Sequence, residues 1–290
     1  MIFTTRFAPS PTGPLHLGHA YSALLAHDLA RAVGGRFLLR IEDIDHTRSR
    51  PEWEQQIIED LHWLGIDWDA PPMRQSDRRP AYAQALQSLW DLGVLYPCTC
   101  TRRDIASAVS APQEGADPPF GPDGMIYPGT CRHQHPRTGR FPPSGSAIRL
   151  DMSAAISTLP CPLSGFEEIG PEGVVPPRHV PVTAPDLLSH VGDIVLSRKD
   201  FPGSYHLSVV LDDAAQEITH VIRGQDLLSA TQIHILLQRL LGLPTPIYLH
   251  HRLIRDDAGR RLAKRDDARA IATYRADGLT PASIRTKIGL

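Results

Sequence analysis

Apolar residues recur along this chain with two periods. Ile2 to Phe7 alternates in the manner of a strand, and after a Pro/Gly-rich turn Ala20 to Val33 carries Leu25, Leu29 and Ala32 at helical spacing. Gly34 and Gly35 stop that helix, and Arg36 to Ile41 reads as the next strand. Strand, loop, helix, strand implies two parallel strands joined by a right-handed crossover. The expectation is a nucleotide-binding α/β fold.

Pro51 suits the first turn of a second helix, with Trp53, Ile57, Leu61 and Leu64 on one face. A third follows Pro80, presents Tyr82, Leu86, Leu89 and Trp90, and ends at Gly93. Stripes of this kind are packing surfaces, and we assign them no chemistry. From Ala108 to Ser146 the pattern breaks down: 8 of the 27 prolines fall there, among many glycines. That stretch reads as an irregular insert held by something other than an apolar core. Apolar runs resume near Ala147 and recur at Asp193–Ser197, Tyr205–Leu211, Ile218–Ile222 and Leu227–Leu241, with no internal repeat.

Composition narrows the function classes. A 290-residue chain with 41% hydrophobic content can bury a sizeable core, and a formal charge of −2 gives no global basic field for nucleic acid. Any RNA contact must come from local patches. Arg102 and Arg103 form one; Arg255, Arg260, Arg261, Lys264, Arg265 and Arg269 form another. Four unevenly spaced cysteines make no disulfide scaffold, no charged leader opens the sequence, and no run of 18 apolar residues occurs. A cytoplasmic protein with no membrane association is expected.

Between the first strand and first helix stands Pro9-Ser10-Pro11-Thr12-Gly13-Pro14-Leu15-His16-Leu17-Gly18-His19. It is neither a Walker loop nor a G-x-G-x-x-G fingerprint. It does occupy the place where an α/β fold offers a helix N-terminus to an anion, and it adds two imidazoles that can donate to oxygens of an attacked phosphate. Gly18 would let a ring lie flat against the backbone.

With Arg6-Phe7-Ala8 before it and Arg40-Ile41-Glu42-Asp43-Ile44-Asp45 after, this run resembles the opening of the glutamyl-tRNA synthetases, including their HIGH signature. The resemblance resumes at Tyr205-His206-Leu207 and at Val221-Ile222-Arg223-Gly224-Gln225-Asp226. It ends at Arg261-Leu262-Ala263-Lys264-Arg265, which matches the family's mobile KMSKS loop. Arg261 and Ala263 depart from that signature, so only Lys264 carries over as a phosphate-contacting cation.

The resemblance implies a class I aminoacyl-tRNA synthetase that binds ATP through His16, Gly18, His19 and Lys264, with His16, His19 and Lys264 catalytic and Mg²⁺ accompanying ATP. It also implies a glutamate pocket lined by Arg6, Phe7, Ala8, Pro9, Ser10, Glu42, Tyr205 and Arg223. Arginine's planar fork suits a carboxylate, so Arg6 and Arg223 would meet carboxylates while Glu42 and Tyr205 meet the ammonium. From the residues alone, Arg6 and Glu42 could instead be a salt bridge between neighbouring strand ends, and Tyr205 could be core.

Cys98, Cys100 and Cys131 bracket the proline-rich stretch and could tie its ends through one zinc ion. His133 and His135 are possible fourth ligands by chemistry. Tyr127 is favoured by resemblance to the short, tRNA-modifying relatives of the glutamyl-tRNA synthetases. Cys161 reads as a bystander.

Only 25 residues follow Arg265, too few for a further domain of ordinary size. The expected architecture is α/β: a Rossmann-like class I catalytic domain in two halves, residues 1–92 and 186–250. A zinc-containing, acceptor-binding-type subdomain is inserted at 93–185, the mobile-loop region and C-terminal segment occupy 251–290, and there is no anticodon-binding domain. The resemblance then implies a monomer that activates L-glutamate and transfers it to the queuosine base of tRNA(Asp). Ordinary charging of a tRNA 3′ end, a catalytically idle zinc-containing RNA-binding module, and a small nucleotidylyltransferase are the alternatives.

Overall fold

The computed structural model describes residues 2–109, 120–134, 141, 145–170, 176–255 and 269–290. Strand β1 (Thr4–Phe7) and β2 (Arg36–Ile41) flank helix α1 (Leu17–Ala32) and pair in parallel, with Thr4 opposite Arg36 and Phe7 opposite Leu39. Helix α1 starts three residues before Ala20 because His16 caps it, so the histidine motif is itself the helix start. Its end is set by Gly34, whose φ of +63° suits a residue without Cβ.

Helix α2 (Pro51–Trp63) leads to the short β3 (Met73–Arg74), parallel to β2, and then to α3 (Arg79–Asp91). Ile57, Leu61 and Leu64 are buried as the spacing predicts, as are Tyr82, Leu86, Leu89 and Trp90. The chain next runs through β4 (Leu95–Cys98), α4 (Arg102–Val109), a small hairpin of β5 (Phe120–Gly121) and β6 (Gly124–Met125), β7 (Ala147–Leu150) and α5 (Met152–Thr158). After these come β8 (Phe166–Glu168), β9 (Arg178–Val180), the short α6 (Ala184–Asp186) with a π turn over Leu187–Val191, and β10 (Val195–Ser197). The second half supplies α7 (Tyr205–Ala215), β11 (His220–Gly224), α8 (Leu228–Leu240), β12 (Ile247–His251), α9 (Ile271–Ala276) and α10 (Pro281–Ile288).

Strands β4, β7 and β10 form an antiparallel sheet of their own. Strands β11, β12 and β8 are parallel neighbours, and β9 closes that edge antiparallel to β8. Strands β8 and β9 thus pair with the second-half strands although they fall between residues 93 and 185.

Thr219 stitches the two halves together: its amide donates to the Thr4 carbonyl at 2.9 Å, and its Oγ1 accepts from the Thr4 amide at 2.8 Å. Strand β1 therefore lies beside β11, and the strand sequence turns outward in both directions from that seam. Alternation across this layer divides the core. Phe37, Leu39, Ile222 and Leu249 face one buried cluster with α1, α2 and α10, while Leu38, Val221 and Tyr248 face another with α3, α7 and α8. Helices cover both faces. No helix among the described residues is long and apolar enough to cross a membrane.

Candidate active site

In a doubly wound sheet the C-terminal strand ends open a crevice where the order reverses. Here that crevice is a cavity of about 460 Å³ at the seam between β1 and β11. The end of β1 and the following loop contribute Arg6, Phe7, Ala8, Pro9 and Ser10, and β2 is followed by Glu42. The start of α1 contributes His16, Gly18 and His19, the first residue of α7 is Tyr205, and β11 contributes Arg223. Every expected pocket and phosphate-handling residue among the described ones lines this single cavity. Lys264, with Arg261 and Ala263, lies outside the described residues; where the chain resumes, Ala270 bridges antiparallel to His16 and the Ile271 amide donates to Leu15.

The two histidines form a reciprocal capping box. Gly18 N–H donates to His16 Nδ1 at 3.1 Å, and His16 N–H donates to His19 Nδ1 at 3.2 Å. Both Nδ1 atoms therefore carry lone pairs, which leaves the hydrogens of the neutral rings on Nε2. The rings stack at 3.7 Å. A Cβ on Gly18 would come within 3.0 Å of His16 Cε1, so glycine at 18 is what lets the ring lie against the backbone. The loop before the box is tied down by Glu42 N–H, which donates to the Pro9 carbonyl at 3.0 Å.

The polar floor is a charge cluster that includes one residue the sequence reading did not single out. Arg6 does not pair with Glu42; it donates to Asp213 of α7, from Nε at 2.8 Å and Nη2 at 3.4 Å. Arg40, fully buried, donates to the same carboxylate at 2.8 Å and approaches Glu42 at 3.5 Å. Burial pushes the Asp213 carboxyl up, but Arg6 and Arg40 outweigh it and hold it below the usual range. For Glu42 burial prevails over the same two arginines, and its carboxyl is raised. Asp212 beside it takes hydrogen bonds from Tyr82 at 2.7 Å, Gln75 at 2.9 Å and Arg78 at 3.2 Å, which fixes α7 against α3.

Arg223 is also buried, and its partners Thr231, His234 and His250 are likewise absent from the motif reading. A signal for two of them was present. Thr231, His234 and Gln238 make a polar stripe at helical spacing among the buried residues of α8.

At the edge of the β4 sheet, the sulfurs of Cys98, Cys100 and Cys131 all lie within 4.8 Å of one another. The Tyr127 hydroxyl is 3.4 Å from both Cys98 Sγ and Cys100 Sγ, and accepts from the Cys131 amide at 2.9 Å. A tetrahedron with zinc–sulfur bonds of about 2.3 Å has edges of about 3.8 Å, so three thiols and a phenol at this spacing suit one zinc ion. His133 is exposed and outside the cluster, His135 lies outside the described residues, and Cys161 is exposed and distant in the chain. Arg102 and Arg103 stand exposed at the start of α4, just beyond Cys100.

A parallel sheet with a His-x-Gly-His helix cap and a polar cavity at its switch point fits the class I aminoacyl-tRNA synthetase catalytic fold that the resemblance implies. The family model for tRNA synthetases class I (E and Q), catalytic domain, matches residues 3–134 and 182–290, and the chain belongs to that family. It is 61% identical over 287 residues to the glutamyl-Q tRNA(Asp) synthetase of Rhodobacter capsulatus, covering 99% of each chain. It is 42% identical to the enzyme of that name from Symbiobacterium thermophilum, covering 96% of this chain and 83% of that one. Among solved structures it resembles the glutamate-tRNA synthetase of Elizabethkingia anophelis, with a TM-score of 0.69 and 28% identity over 92% of this chain. It spans 53% of that longer protein.

Proposed function

We propose that this chain is a ligase that activates L-glutamate with ATP and transfers the glutamyl group to the queuosine base in the anticodon of tRNA(Asp). The observation that carries the chemistry is the single cavity joining the imidazole pair to Arg6, Glu42, Tyr205 and Arg223. With Glu42 ionised, the carboxylates of Glu42 and Asp213 balance the guanidinium groups of Arg6 and Arg40, and Arg223 is left to meet a carboxylate of glutamate. The choice of acceptor rests on the near full-length likeness to a glutamyl-Q tRNA(Asp) synthetase.

In this reading Arg6 and Arg223 hold the carboxylates of glutamate, and Glu42 with the Tyr205 hydroxyl receives its ammonium. Phe7, Ala8, Pro9 and Ser10 form the wall against the substrate. The Nε2–H groups of His16 and His19 donate to phosphate oxygens as a glutamate carboxylate oxygen attacks the α-phosphate and pyrophosphate leaves, and Lys264 adds a cation. Mg²⁺ bound with ATP supplies further neutralisation of phosphate charge. A hydroxyl of the queuosine diol then attacks the mixed anhydride and AMP departs. The adenylate is already activated, so positioning is most of the second step.

Cys98, Cys100, Cys131 and Tyr127 would hold one structural zinc that ties the ends of the insert, with Arg102 and Arg103 beside the RNA. We read the working unit as a cytoplasmic monomer divided at residues 92, 185 and 250. Glutamate-dependent exchange of labelled pyrophosphate into ATP tests the first step. Exchange with glutamate and none with aspartate supports the reading; no exchange, beside an active control enzyme, defeats it.

A further inference from the structure

Arg223 and Arg6 share the cavity but differ in their surroundings. Arg6 is neutralised by Asp213, whereas every protein partner of Arg223 is neutral. Its Nη2 donates to Thr231 Oγ1 at 2.6 Å and to the Leu227 carbonyl at 3.4 Å, Nη1 meets His234 Nδ1 at 3.1 Å, and Nε donates to His250 Nε2 at 3.3 Å. Arg223 forms no ion pair among the described residues.

The histidines cannot be protonated on the atoms that face Arg223, because a guanidinium only donates. His234 therefore carries its hydrogen on Nε2, toward His206 Nδ1 at 3.2 Å. His250 carries its own on Nδ1, toward Glu168 Oε1 at 2.7 Å. Glu168 in turn is neutralised by Arg178, with contacts of 2.5 and 3.0 Å. Burial, reinforced by the charge of Arg223, pushes His250 down to about 4 and His234 well below the ordinary histidine value.

We propose that His234 and His250 are specificity-determining positioning residues. As neutral acceptors they fix the fork of Arg223 while leaving its charge unpaired, so that the cavity selects a carboxylate over the isosteric carboxamide of glutamine. A buried cation with no counter-charge is costly, and a carboxylate relieves that cost where an amide does not. This inference rests on the reading of glutamate as substrate.

The test is a series at one position, read as exchange kinetics with glutamate and with glutamine. His234→Ala removes the acceptor and raises KM for glutamate by about 10-fold or more. His234→Asn puts an oxygen where Nδ1 stands and restores most of that affinity. His234→Asp has the same shape but pairs Arg223 internally; it raises KM for glutamate by about 100-fold and collapses the preference over glutamine, with KM for ATP unchanged. Asn and Asp variants that behave alike, or an Asp variant that keeps the glutamate preference, overturn the proposal.

Because a buried aspartate could prevent folding, the imidazole ¹⁵N shifts of the unmodified protein at neutral pH provide a second measurement. They should show neutral rings with the hydrogen on Nε2 of His234 and on Nδ1 of His250, and an imidazolium or the opposite tautomers would overturn the assignment. Failure of the unmodified enzyme to activate glutamate at all would instead defeat the functional reading.

Discussion

Arg6 of β1 is joined to Asp213 of α7 by two hydrogen bonds, and the same carboxylate also holds Arg40 at 2.8 Å. The charge that orients one wall of the cavity therefore comes from the far half of the chain. Asp213→Ala leaves two guanidinium groups buried without their partner and should cost about 3–5 kcal/mol of stability, read by urea denaturation. In the fraction that folds, KM for glutamate should rise while KM for ATP changes little. A variant as stable as the parent would show that Asp213 does not anchor this cluster.

Gly18 is set by the ring above it. A methyl group there meets His16 Cε1 at 3.0 Å and Nδ1 at 3.1 Å, so Gly18→Ala must push the imidazole aside. The expected result is a kcat lower by about 10- to 100-fold with KM for glutamate nearly unchanged, since in the proposed mechanism the displaced group serves phosphate and not the amino acid. Equal losses in glutamate affinity would place His16 elsewhere in the reaction.

The thiol cluster makes a metal prediction. Purified protein should contain about one zinc per chain, and Cys131→Ser should lose most of it and unfold at lower temperature. Metal analysis together with thermal melting decides this. Full stability after exhaustive chelation would mean that the three thiols and Tyr127 pack without an ion.

His250 gives a stability prediction with a definite sign. Burial and Arg223 depress it from 6.5 to about 4, so below pH 6.5 the unfolded chain takes up a proton that the folded one refuses. Its stabilising contribution is present above pH 6.5 and is lost as pH falls toward 4, by at most about 3 kcal/mol. Urea unfolding between pH 7 and 4.5 should show this slope, and His250→Gln should flatten it. An unchanged slope would assign the effect to other groups.

The parts of this site that sit in local motifs were readable from the chain. The histidine pair announces itself by spacing between a strand and a helix, and helical stripes located the core faces of α2 and α3. Partners brought together by topology were not readable. Asp213 looks like an ordinary polar position on α7 until the β1–β11 seam sets it under Arg6, and His250 is the fourth residue of a five-residue strand that no apolar run flagged. Strand β8 was hidden for a similar reason: three residues in a proline-rich neighbourhood carry too little alternation, and only pairing with β12 and β9 defines them. The polar stripe on α8 was the clue available for Thr231 and His234, because a buried helix accepts such residues only where they have partners.

The central claim is transfer of glutamate to a queuosine-bearing anticodon, and one assay meets it directly. Labelled glutamate and ATP are supplied with bulk tRNA from two matched sources, one that makes queuosine and one that cannot. Label on the first tRNA alone is the result expected; equal label on both would show ordinary charging of tRNA ends and contradict the account.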